Sequence, residues 1–322
     1  MTPLRLLALT AACHIMSTTA VAQPASGEAR GLADLSLRLN SVRAEVEFIR
    51  REMGRPEYPH FEIRLSGATP RATLSQALTL FRKIDRLSLE LARRRAVISP
   101  TVPNPADFSH STALIERVLE RIEAVKVALN INEVAPQPPP STPSVSAAEA
   151  LQSMLATSRQ VDLLLDRRFS SSDVFQQVTL AINYTAWLLQ QFSESEQIPE
   201  TPEFERFKRP TDVYLRLLTC FGLLSDVAEM STLSTLNLQD PREGTVDSTS
   251  GQSYDLASLL ASELAYLHSR TTGGNSSIEA YYPGHKLPSE TYQRVGVLES
   301  QLTQLLALVA TSPDWLAPSM PQ

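Results

Sequence analysis

Residues Pro210-Thr211-Asp212-Val213-Tyr214 open a stretch in which Leu217, Leu218 and Phe221 follow Tyr214 at helical spacing. On a helix these four apolar side chains share one face. Proline fits the first turn, which has no intrahelical use for the missing N–H. Asp212 stands where the positive end of the helix dipole favours a negative charge. The stretch therefore reads as a capped amphipathic helix.

The same start recurs along the chain. Ser171-Ser172-Asp173-Val174-Phe175 and Pro288-Ser289-Glu290-Thr291-Tyr292 repeat it. Looser copies are Pro70-Arg71-Ala72-Thr73-Leu74, Ser111-Thr112-Ala113-Leu114-Ile115 and Gly251-Gln252-Ser253-Tyr254. Their bulky positions, Leu74, Ile115, Phe175, Tyr214, Tyr254 and Tyr292, recur about every 40 residues, with one longer interval between Ile115 and Phe175. Two origins generate such strings. Capping preferences alone make unrelated helices begin alike, and an internal repeat of about 40 residues would space them evenly. The tetratricopeptide pattern is absent, and HEAT-like units need two helices where most units here show one helix and a long connection.

Working outward, apolar periodicity predicts helices over about 32–53, 70–93, 111–129, 146–168, 172–192, 211–230, 253–269 and 288–311. The cations Arg93-Arg94-Arg95 suit the negative end of the second. No stretch alternates as a strand would. The expected fold class is all-α, with about eight helices in two packed helical bundles rather than an open solenoid. Residues 132–145, with Pro136, Pro138, Pro139, Pro140 and Pro143, read as an extended Pro-rich linker. That places an N-terminal helical region at 31–131, a C-terminal one at 146–312 and a tail at 313–322.

Composition agrees. The 322 residues are 43% hydrophobic and 20% charged, a globular balance. Aromatics at 6% are sparse for a β-sandwich, and a net charge of −6 argues against nucleic-acid binding. At the N-terminus Arg5, the apolar run through Met16 and Ala20-Val21-Ala22 read as a signal peptide over residues 1–22, followed by a small-residue spacer at 23–30. A rival reading makes Thr10-Ala11-Ala12-Cys13 a lipoprotein box, with Cys13 as the anchor. The apolar run is too short to span a bilayer. The expected location is periplasmic or secreted. Cleavage at Ala22 leaves Cys220 as the single thiol, set among Leu217, Leu218 and Phe221 and expected to be buried.

No catalytic constellation is spelled out locally. His60, His110, His268 and His285 lie in no metal-ligand spacing, and Walker, nucleophile-elbow and haem-attachment motifs are lacking. No cofactor is expected. Two polar residues stand out inside apolar helices. Glu263 has Leu259, Leu260, Tyr266 and Leu267 as helical neighbours, and Asn183 lies between Thr179, Leu180, Ala186 and Trp187. Each is either a buried structural partner, with Arg216 or Arg294 as candidate cations, or a polar spot in an apolar ligand pocket. In the connection at 271–287, Tyr281, Tyr282, His285 and Lys286 are candidates for binding a ligand or partner, the alternative being that the tyrosines pin the loop. The leading expectation is an exported non-catalytic helical-bundle protein, an interaction or scaffold module of the bacterial envelope whose partner is another envelope protein or a small ligand. The alternatives are a periplasmic small-molecule or lipid-binding bundle and a hydrolase of envelope polymers.

Overall fold

A computed structural model describes residues 25–57, 63–95, 106–133, 135–136, 145–193, 195, 197–239, 247–271, 280–312 and 315–316. Residues 1–22, read above as a signal peptide and including Cys13, together with His60 and most of the Pro-rich segment, lie outside the described residues. The described residues form eight helices: α1 Ala25–Glu52, α2 Pro70–Ala92, α3 Phe108–Ala128, α4 Ala147–Leu164, α5 Ser171–Leu189, α6 Pro210–Met230, α7 Ser250–Ser269 and α8 Pro288–Thr311. Two short strands, β1 Arg64–Ser66 and β2 Asn237–Gln239, pair antiparallel. The protein is thus all-α, with helices packed in two groups. α1 begins inside the stretch read as a spacer.

Six of the eight helix starts, those of α3 to α8, follow one chemical rule. The third residue of the helix turns its side chain back to accept the N–H just before the helix. Asp173 accepts from Ser170, Asp212 from Arg209, Glu290 from Leu287, Glu149 from Ser146 and Gln252 from Thr249. At α3 the acceptor is the His110 imidazole, taking the Asp107 N–H at 3.2 Å. These are capping boxes, and each satisfies a backbone donor that the helix leaves unpaired. α3 is therefore capped at Asp107, and the string Ser111–Ile115 lies a turn inside the helix.

With that register, helices begin at Pro70, Phe108 and Ala147, then at Ser171, Pro210, Ser250 and Pro288. Starts lie close to 40 residues apart except for the short step from α4 to α5. α4, which follows the Pro-rich segment, packs against α1 and α2, so that segment joins two helices of one group. The first group closes in the order α1–α3–α2–α4, and the second in the matching order α5–α7–α6–α8.

Side-chain pairs fix the directions. Arg38 meets Glu116 and Glu45 meets Lys126, so α1 and α3 run the same way. Arg117 lies over Phe81 and Arg121 pairs with Asp85, so α2 and α3 do too. Gln76 bonds Ser158 and Lys83 bonds Asp162, which aligns α4 with α2. In the second group Phe169 stacks on Tyr254 and Trp187 on His268, aligning α5 and α7. Lys208 donates to Ser289 and Arg216 to Glu299, aligning α6 and α8. Each group is a bundle of helices pointing one way, and the segments between successive helices must return the chain over a helix length.

The two bundles lie side by side in opposite senses. α2 packs on α7 with Arg71 over Tyr266 near one end and Lys83 beside Asp255 near the other. The β1–β2 pair ties the bundles at the first end, and the Leu165–Ser170 turn ties them at the second. Gly67, at φ +69°, leads out of β1, and a β-carbon there would overlap the Thr235 carbonyl oxygen. Both conditions require glycine. Gly67→Ala is expected to lower the unfolding free energy by about 2 kcal/mol or more, read from urea melts. A loss below a few tenths of a kcal/mol would refute the backbone contact.

The core is aliphatic. α1 alone buries Leu35, Leu39, Val42, Val46 and Ile49. Cys220 is buried, and burial drives its thiol pKa up, so it packs as an inert apolar group. In the tail, Trp315 donates its indole N–H to Ser231 at the end of α6 and stacks on Phe192.

Candidate functional site

Where α2, α4 and α7 meet, the interface turns charged. Lys83 is fully buried, with Nζ 2.8 Å from a carboxylate oxygen of Asp162 and 2.8 Å from one of Asp255. Arg159, also buried, adds a second positive charge close enough to act on both acids. Two cations thus balance two carboxylates at the contact of the bundles. Burial opposes the Lys83 ammonium, yet the two carboxylates together outweigh it and hold its pKa above the ordinary value. Burial pushes Asp162 up against the pull of Lys83, and pushes Asp255 up to about 6.

The Asp255 shift has a sign. Its folded pKa lies above its unfolded one, so protonation favours the fold. The group's contribution is fully present below about pH 4 and is lost as pH rises through about 6. The ionised form therefore weakens folding at neutral pH by an amount on the order of 3 kcal/mol. Asp255→Asn mimics the protonated acid. Because it also leaves Lys83 and Arg159 facing Asp162 alone, the expected signature is a slope: its stability relative to the natural chain rises by about 2 kcal/mol between pH 4.5 and pH 7. Urea melts across pH 4.5–7.5 provide the check, and a difference that does not change with pH would refute the assignment.

Phe169, in the α4–α5 turn, roofs the charged cluster. Lys83 Nζ lies 5.6 Å from its ring centroid, the Arg86 guanidinium 4.2 Å, and the Tyr254 ring 4.3 Å. Phe169 and Tyr254, each more than nine-tenths buried, lie at the base of an open groove of about 1310 Å³ between α2 and α5. Phe81, Leu89 and Leu180 add apolar wall, and Gln176 and Gln177 line the α5 side. A smaller cavity of about 300 Å³ lies across Phe169, against Asp162 and the start of α7.

The charges of the groove divide unevenly. Its carboxylates are all engaged. Asp85 pairs with Arg121, Asp173 with Arg86 and Asp166 with Arg55, while Glu90 accepts the N–H groups of Asp166 and Arg167. Its side chains Arg82, Arg93, Arg95 and Arg167 have no ion-pair partner among the described residues. Arg93, at φ 55°, ends α2 in the left-handed conformation and turns the chain along the groove edge.

The residues singled out from sequence fall in different places. Glu263 is fully buried on α7, at the opposite end of the bundle contact from Lys83. Its cation is Arg71 rather than Arg216 or Arg294. Burial raises the Glu263 pKa, while Arg71 and the Leu236 N–H draw it down, although neither carboxylate oxygen accepts a hydrogen bond of ordinary geometry. Arg216 is committed to Glu299, and Arg294 lies against Thr179 and Phe175. Asn183 is half-buried on α5, and neither it nor Glu263 lines the groove or the smaller cavity.

Tyr281 and Tyr282 are 86% and 61% exposed, so they do not pin their loop. The backbone does that work. Ala280 accepts from Gln176, and the Lys286 N–H donates to Ser172. Ala280 lines the groove, while Tyr281 and Tyr282, next in the chain, are not among its lining residues; exposed His285 lies two residues beyond Pro283. The Lys286 ammonium pairs with Glu290 at 3.1 Å.

Among the described residues no group of His, Cys, Asp and Glu is placed to hold a metal ion, and no helix is long and apolar enough to cross a membrane. No family model, curated protein or solved structure matches the chain.

Proposed function

We propose that the chain is an exported, non-catalytic helical scaffold of the bacterial envelope that seats a partner protein in the groove between its bundles. One observation carries this reading: the groove joins the accessible apolar side chains of Leu89 and Leu180 to four arginines that have no carboxylate partner among the described residues. Arginine is prominent among the residues that dominate the energetics of protein interfaces. Exposed Tyr281 and Tyr282, next in the chain to groove-lining Ala280, would extend the same surface. The leader-like residues 1–22 support export. The matching helix order of the two bundles supports their descent from one four-helix unit.

The pocket and hydrolase alternatives gain nothing from Glu263, which is sealed in the bundle contact opposite Arg71. A photocrosslinking residue at Leu89 or Tyr281 is expected to capture the same envelope protein, and one at exposed Leu37 on α1 to capture none. Capture that does not depend on position would overturn the groove assignment. Mass spectrometry of the mature chain is expected to find Gln23 at the N-terminus, and an uncut Met1 inside the cell would end the export reading.

A further inference from the structure

We infer that the partner segment entering the groove is an extended acidic peptide carrying apolar side chains between its carboxylates. This rests on the groove being the docking surface, and it adds the chemistry of what docks. Five arginines and four carboxylates line the groove, so its formal balance is +1. A dense polyanion such as polyphosphate or nucleic acid needs a stronger positive field than that and would meet four carboxylates. A sparse anion does not. The groove's acids are already held by Arg121, Arg86, Arg55 and the 166–167 backbone, leaving the arginines as the open half of the pattern.

The groove also has an apolar part. Exposed Leu89 on α2 and half-buried Leu180 on α5 line it from the two bundles, above the buried Phe169 and Tyr254. Carboxylates alone gain nothing from such a surface. A peptide with aromatic or aliphatic residues among its acids uses both features at once. Gln176 and Gln177 offer amides that can pair with a peptide backbone. From Phe81 to Ala92 the α2 wall runs roughly 17 Å, which accommodates about five extended residues. Arginine pairs carboxylates in a two-pronged fork, which favours Asp and Glu over a diffuse negative field.

The test is selection of random octapeptides displayed on phage against the full chain. Two variants run in parallel: Arg82→Gln/Arg93→Gln/Arg95→Gln/Arg167→Gln and Leu89→Gln. All five positions are at the surface, and thermal melts confirm that both variants fold. Enriched sequences are expected to be rich in Asp and Glu with interspersed Phe, Tyr, Trp or Leu. Synthetic copies are expected to bind the arginine variant about tenfold more weakly or worse and to lose affinity with added salt. Neutral or basic sequences that lose binding on Leu89→Gln would overturn the acidic partner while leaving the groove as the docking surface. Sequences held equally by both variants, or no enrichment at all, would overturn both.

Discussion

Lys83→Met is expected to lower the unfolding free energy at pH 7 by about 3–5 kcal/mol, the largest effect of any single side-chain change outside the aliphatic core. The reason is asymmetry. The substitution leaves Asp162 and Asp255 buried at the bundle contact without the ammonium that sits 2.8 Å from each. Arg159 alone then faces two carboxylates. Burial already raises both acids, and without Lys83 they rise further, so the deficit is expected to shrink as pH falls toward 4.5. Lys83→Met combined with Asp255→Asn leaves Arg159 against Asp162, one cation for one carboxylate, and is expected to recover most of the loss. Urea melts of the single and double variants at pH 7 and 4.5 measure this. A loss under about 1 kcal/mol at pH 7, typical of an exposed pair, would show that the lysine is not sealed between the bundles.

Gly251→Ala is expected to destabilise by about 2–4 kcal/mol, although glycine-to-alanine changes within helices ordinarily stabilise. A β-carbon at Gly251 would overlap the Asp162 carboxylate and come within 2.7 Å of its Cγ. Asp162 cannot swing aside, because its other contact is Lys83. The start of α7 therefore presses directly on the charged cluster. If so, the penalty should largely vanish when Asp162 is already Ser, giving strong non-additivity in a double-mutant cycle. Additive penalties would separate the two residues.

The helix starts were legible in the sequence because capping is local chemistry. A carboxylate at the third helical position announced α5, α6 and α8, and a proline at the first position reinforced it at α6 and α8. The start of α3 was missed by a turn, since its acceptor is the His110 imidazole, an unusual residue for that position. Lys83 was missed for a different reason. In Phe81-Arg82-Lys83-Ile84-Asp85-Arg86 it looks like part of a solvated charge run. Only its spacing from Leu80 and Leu87 marks it as facing the core. Asp255, next to Tyr254, carried the same faint signal. The groove could not be read at all. It is built from α2 and α5, and the path of the long connections decides which helices become neighbours. Glu263 was legible as buried, but its cation, Arg71, lies on another bundle.

One consequence of helices that all point the same way concerns how the chain reaches its fold. Neighbouring helices within a bundle never form a tight hairpin, so each contact waits for a segment of some tens of residues to be brought back. The one short reversal, at Leu165–Ser170, joins the bundles and builds neither. Contact order is therefore high for an all-helical chain, and folding is expected to be slow, in the range of non-local topologies rather than up-and-down bundles.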